Sequence, residues 1–307
     1  MPELLSQPRP EDAEFHSPLQ EQEEDERWQD HDLPYVDNEG PERKLKLPTR
    51  ALEIFNEVRR KPVVHKLLKE LRERDEETYD HTIRVTTNAL AVAWMNRGED
   101  GDAPEITDED MRLITEASFL HDLGKLDLPF VPRDRPPENP DEDKSKYTVL
   151  VRPQHARRPL EPQEREIMRR HAMLSIEHLQ RQGYVQDKEV LGLIIFHHQR
   201  QSNPTLEAND AEAVLVDLGL NAKQRQKIRT YQQIIEVADK FDALDSERAY
   251  KPAKPPHRTK QIIEGDFKAH HGNPQYVEQM IRIYYPGLYS AYPEQYEYDS
   301  QTGAAHV

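Results

Sequence analysis

The sequence predicts an all-α domain, and three observations carry that prediction. From residue 50 onward the apolar residues recur at spacings of three and four, the period of a helix face. No convincing run alternates apolar and polar residues in the period of a strand. The chain of 307 residues has no cysteine, so its fold rests on a packed core without disulfides, and any metal must sit on His and carboxylates.

Residues 1–49 read as an acidic extension outside that core. They hold fourteen Asp/Glu against five Lys/Arg, a net charge of −9 in a chain whose total is −16, and they bear proline with almost no periodic apolar residues, the composition of a disordered segment. The first helix is expected over 50–72, with Leu52, Phe55, Val58, Val63, Leu67 and Leu71 on one face and Pro62 as a kink or break. Further helices are expected at 75–97, 107–122, 161–182 (ending before Gly183), 187–199 and 221–243, with shorter ones at 257–265 and 274–284. Residues 129–162 hold eight of the 24 prolines and the run Asp141-Glu142-Asp143-Lys144, so 129–158 is expected to be a long loop or flap. Residues 200–213 read as a second irregular stretch. The domain is expected to span 50–285, followed by a Tyr-rich tail over 286–307 that carries Tyr289, Tyr292, Tyr296 and Tyr298.

Outside the extension the chain is only mildly acidic and shows no basic face, which argues against a nucleic-acid polymer as partner. A small anionic substrate remains compatible, because it needs only a few local cations or metal ions. The segment MPELLSQPRPEDAEF has neither a basic nor an apolar signal region, and no stretch approaches eighteen apolar residues. No membrane association is expected, and a cytoplasmic location is. Oligomeric state is not legible.

The ionisable residues fall where ionisable residues are costly. Glu77 and His81 are one turn apart on a helix. His121 follows Ile114 and Ala117 on an apolar face, with Asp122 beside it, Gly124 read as a left-handed cap and Lys125 just beyond. His171 lies between Ile167 and Leu174, His197-His198 follow Val190 and Ile194, and Asp239 sits in the apolar stripe of Ile228, Ile235, Ala238 and Phe241. Each alone has a bland reading: a surface pair, a core histidine, a lysine at a helix end. Together, five histidines and three carboxylates on apolar faces would form a core of unpaired polar groups unless they meet around metal ions.

Eight such ligands exceed what one ion can use, so two or three divalent ions are expected. The sulfur-free donors suit Fe or Mn, with Mg, Co and Zn compatible. A bridging Asp122 would hold two ions roughly 3.5–4 Å apart, lower the pKa of a bridging water until hydroxide forms near neutral pH, and so serve phosphoryl hydrolysis without a side-chain nucleophile. Lys125 would neutralise charge on the phosphoryl oxygens.

These residues resemble the HD superfamily of metal-dependent phosphohydrolases, and in detail its HD-GYP branch. The resemblance rests on H-T-I-R-V at 81–85, F-L-H-D-L-G-K-L at 119–126, P-L-x-P-x-E at 159–164, R-R-H-A at 169–172, His197-His198, A-D-K-F-D-A-L at 238–244 and S-E-R-A-Y-K-P-A at 246–253. It spans roughly residues 65 to 285. It implies an HD-domain helical bundle with the metal site in the bundle core, ligands at His81, His121, Asp122, His171, His197, His198 and Asp239, and a phosphate-site lysine at Lys125. It further implies that Glu77 is the extra carboxylate of trinuclear members and that Arg248 and Lys251 contact substrate phosphates. After His197-His198 the branch has Glu-Arg-x-Asp-Gly-x-Gly-Tyr-Pro, whereas this chain reads Gln199-Arg200-Gln201-Ser202-Asn203-Pro204-Thr205. The expected function is hydrolysis of a nucleotide phosphoester such as cyclic di-GMP. The alternative is a non-hydrolytic nucleotide-sensing module of the same fold.

Overall fold

The computed structural model describes residues 35–37, 44–97, 106–134, 148–155, 160–184, 187–198, 208–246, 253–286 and 288. Arg248, Lys251, the segment 199–207, the extension up to residue 34, the centre of the 129–158 loop and the tail beyond 288 lie outside the described residues.

The chain folds as an all-α bundle. Pro62 opens a new helix rather than kinking one: α1 spans Thr49–Arg59 and α2 spans Pro62–Arg74, with the proline at the first turn of α2, where its missing N–H has no partner to lose. Asp75 follows at once and caps α3 (Glu76–Met95) by accepting from the Thr78 amide. Thr107 and Asp110 form a capping box at the start of α4 (Asp108–Leu120). A short 3₁₀ turn, Leu123–Asp127, leads from α4 towards the proline-rich region.

The expected helix over 161–182 is two helices, α5 (Pro162–Arg169) and α6 (His171–Arg181), joined at Arg170. Gly183, with φ of 75°, ends α6 in the left-handed region. Then come α7 (Lys188–Phe196), α8 (Ala208–Asp217), α9 (Ala222–Asp245), α10 (Pro256–Ala269) and α11 (Pro274–Tyr284). The start of α8 falls inside the stretch 200–213 that reads as irregular. Two antiparallel ribbons add to the bundle: β1 (Tyr35–Asp37) with β2 (Lys44–Lys46), and β3 (Val131–Asp134) with β4 (Thr148–Val151). Strands of three or four residues are too short to show a period of two.

Helices α3, α4, α7 and α9 pack on one another at the centre, burying Val85, Ala89, Ile114, Ala117, Ile194, Ile234, Ile235 and Ala238 completely. These are the positions that flank the predicted ligands in sequence. The same helical period that builds the core therefore turns the ligands inward. Among the described residues no helix is long and apolar enough to cross a membrane.

Candidate metal centre

Helix ends deliver most of the donors. His121 is the residue at which α4 stops, His171 is the first residue of α6, and His197-His198 follow the last turn of α7. A helix end aimed at the site lets two successive histidines reach it, which neighbours inside a helix cannot do because they diverge by about 100°. His81 and Asp239 instead come from the middles of α3 and α9.

Among the described residues, three groups of donors each have their ligand atoms within 4.8 Å of one another: His171 with His197 and His198, His81 with His121 and Asp239, and His121 with Asp122 and His197. Asp122 stands between the first two. Its Oδ1 is 3.4 Å from His171 Nε2, while its Oδ2 is 3.3 Å from both His81 Nε2 and His121 Nε2. His81 Nε2 also lies 3.0 Å from Asp239 Oδ1, and His198 Nδ1 lies 3.8 Å from Asp239 Oδ2.

The outer ring nitrogens fix the tautomers. Nδ1 of His121, His171 and His197 donates to the backbone carbonyls of Ser118, Met168 and Ile194, at 2.7, 2.7 and 2.6 Å. A neutral imidazole with its proton on Nδ1 leaves Nε2 as a bare lone pair. His171 Nε2 and His197 Nε2 are nonetheless 3.1 Å apart in a buried site. Two acceptors held this close are reconciled by a shared cation. His81 Nε2, His121 Nε2 and Asp122 Oδ1 are buried without a hydrogen-bond partner, a cost that metal coordination would remove. The donor set thus fits divalent ions with hard or borderline character.

Most of the protonation states are those a metal needs, with His81 the exception. Burial drives His171 and His197 down, His197 well below the ordinary range, and holds His198 near a pKa of about 3, so these three are neutral and able to ligate. Burial opposes ionisation of Asp122, yet His121 and Lys125 keep it well below the usual carboxylate range. His81 and His198 do the same for Asp239. Burial also opposes a charge on His81, but Asp122, Asp239 and Asp242 outweigh it and raise its pKa to about 10. His81 must therefore give up a proton when it ligates.

Lys125 is where its spacing puts it: Nζ donates to Asp122 Oδ2 from a mostly buried side chain, at the edge of the donor set. Gly124 is not a left-handed cap. It lies in the 3₁₀ turn without a positive φ, and a Cβ there would sit 2.0 Å from the carbonyl of His171 and 2.3 Å from the Ser175 amide. Only glycine lets the Asp122–Lys125 turn lie against α6. Ser175 secures that contact, accepting from the Gly124 amide and donating to the His121 carbonyl, both at 2.8 Å. Glu77 sits one turn before His81 on α3 but belongs to none of the three donor groups; it pairs with His155 Nδ1 at 3.3 Å.

Asp242 escaped the sequence reading. Its Oδ2 accepts from His81 Nδ1 at 2.6 Å, and its Oδ1 accepts from Arg84 Nε at 2.6 Å and Ser246 Oγ at 2.8 Å. It aims His81 at the centre as an outer carboxylate does in metal sites. The signal available was a second Asp three residues after Asp239, on the same helix face.

A buried, sulfur-free His/Asp donor set at the heart of a helical bundle defines a candidate centre for divalent metal ions. The HD domain family matches residues 78–244, just over half of the chain, and the chain belongs to that family. The expected membership of the HD superfamily is thereby borne out. A cyclic di-GMP phosphodiesterase of Thermotoga maritima is 27% identical over 213 residues, covering 68% of this chain and 45% of that protein. The chain thus spans less than half of that relative's length. The HD domain of the L. monocytogenes phosphodiesterase PgpH, solved in complex with cyclic-di-AMP, matches at 18% identity with a TM-score of 0.40, covering 76% of this chain and all of that one.

Proposed function

We propose that this chain is a metal-dependent phosphodiesterase that hydrolyses a nucleotide phosphoester, with cyclic di-GMP the first substrate to try. The observation that carries the reading is Asp122, whose two oxygens face two separate histidine groups, the arrangement of a carboxylate shared by two ions. His81, His121 and Asp239 would hold one position and His171, His197 and His198 the other. Bound divalent ions, Fe or Mn first, would lower the pKa of a water until it ionises near neutral pH and would supply positive charge for the phosphoryl oxygens. The chain's own work is to place that chemistry. The Nδ1 hydrogen bonds fix each imidazole, the bundle excludes bulk water, and the Lys125 ammonium beside Asp122 meets charge developing on the phosphoryl oxygens. Arg248 and Lys251 are proposed to bind the substrate's phosphates. The 27% identity to a cyclic di-GMP phosphodiesterase supports the choice of substrate class.

The test is a panel of cyclic dinucleotides, mononucleotides and generic phosphodiesters offered to protein loaded anaerobically with Fe or Mn, with Asp122→Ala as control. Turnover of a cyclic dinucleotide by the wild type alone is expected. No turnover of any member sinks the reading. Gln199 to Thr205, in place of the Gly-Tyr-Pro segment, favours one rival, a nucleotide-sensing module that does not hydrolyse. Tight cyclic dinucleotide binding without turnover, unchanged in His121→Ala, would support that rival.

A further inference from the structure

Among the described side chains, Phe130 and Val216 are the large apolar ones left exposed, at 57% and 52%, and Phe130 is the aromatic of the two. A single exposed apolar residue is ordinary on any surface. Phe130 is distinguished by how it is mounted. Leu128 before it and Val131 after it are buried, so the backbone on both sides is seated while the ring is left in water. Val131 pairs with Val151 across the β3–β4 ribbon, which makes Arg152 the next residue opposite Phe130. The Arg152 guanidinium lies over the Phe130 ring, 5.4 Å from its centroid, and Arg152 Nε is buried with no hydrogen-bond partner. An arginine placed this way braces the aromatic ring by a cation–π contact.

The base of the ribbon is tied to the metal centre. Gln154, two residues past Arg152, donates from Nε2 to Asp75 Oδ2 at 2.9 Å and approaches the Lys125 carbonyl at 3.4 Å. The Leu128 amide meets the same carbonyl at 3.4 Å. Lys125 in turn donates to Asp122. Phe130 follows Lys125 by five residues, so their Cα atoms lie within about 18 Å of each other. The ring is thus a flat apolar surface, steadied by a cation, mounted on the same turn that carries the phosphate-facing lysine. A surface of that kind takes another π system, and every nucleobase presents one.

We propose that Phe130, braced by Arg152, is the stacking platform for a base of the nucleotide whose phosphoester sits at the metal centre. This rests on the nucleotide reading above and deepens it, giving the base a residue of its own. The platform binds and orients; the chemistry stays with the centre.

The test is binding of a dinucleotide that carries 2-aminopurine, a base whose fluorescence is quenched on stacking, with a phosphorothioate linkage to slow hydrolysis. It is titrated with full-length protein in Mg(II), and circular dichroism confirms folding of each variant. The wild type is expected to bind and quench the probe. Phe130→Ala should bind it about 5- to 100-fold more weakly and leave the bound base unquenched. Phe130→Tyr and Phe130→Trp should retain both properties, and Val216→Ala, which removes the other exposed apolar side chain, should match the wild type. A bound probe that stays quenched in Phe130→Ala, or that binds it no more weakly, overturns the platform, as does a wild type that binds without quenching. A wild type that does not bind the dinucleotide at all overturns the nucleotide reading and the platform with it, an outcome visible before any substitution is made.

Discussion

Two clusters of buried histidine flank the turn Leu123–Asp127, and they are opposites. On one side His178 is satisfied at both ring nitrogens: Nδ1 is 2.8 Å from Asp127 Oδ2 and Nε2 is 3.4 Å from Glu70 Oε2, with Arg181 and Arg74 completing the charge balance on those carboxylates. On the other side His121, His171 and His197 present lone pairs to one another and to Asp122. A buried histidine whose neighbours already balance it is a structural clip. One whose neighbours are all acceptors is waiting for a cation. The difference lies in the partners, because His178 and His121 are equally hidden from solvent. The two sides also cooperate, since Asp127, held by the clip, ends the turn that begins beside Asp122 and carries Lys125.

Breaking the unsatisfied side should have the largest effect. Asp122→Ala removes the carboxylate that lies between the two histidine groups; if it is shared by two ions as proposed, the loss of metal-centred charge stabilisation, several kcal/mol, corresponds to a fall in kcat/KM of about 10³-fold or more. Steady-state hydrolysis of whichever phosphodiester is turned over measures it. Asp242→Asn leaves all inner donors in place but weakens the aim of His81, so metal affinity should fall by about 10- to 100-fold in a chelator competition. Undiminished affinity would reduce Asp242 to a helix-pairing residue.

On the satisfied side, His178→Ala should lower stability by about 1–2 kcal/mol, read from denaturant unfolding, since Asp127 and Glu70 keep their arginines and lose only the shared imidazole. The smallest effect is expected from pH. Asp75 first, then Glu77, raises the pKa of His155 to about 9 from its ordinary 6.5. A raised folded-state value means that the stabilisation is complete below about pH 6.5 and is lost as pH climbs through 9. Melting temperature should fall slightly over that window in the wild type, and His155→Phe should flatten the slope.

The helical period made much of this legible. It located the core helices because apolar spacing is a local property, and it singled out Asp122, Asp239 and the five histidines because ionisable groups on apolar faces are anomalous in one dimension as well as three. What it missed depends on contacts between distant segments. Arg170 interrupts the 161–182 helix with neither Pro nor Gly to mark the break. Gly124 looked like a cap, whereas its small size answers the approach of α6, some fifty residues later. His178 drew no notice because its carboxylates come from other elements, and His155 was hidden in a proline-rich stretch with no periodic neighbours. Asp242 was the nearest miss, one turn from a residue already chosen.

The most direct test compares the two clusters by metal content. Wild type, His178→Ala and Asp122→Ala are loaded anaerobically with Mn(II), desalted and assayed for bound ions. The wild type and His178→Ala should retain the same number, two per chain, while Asp122→Ala retains none or nearly none. Equal retention by wild type and Asp122→Ala, or loss of metal on replacing His178 alone in a folded protein, would contradict the assignment of the centre.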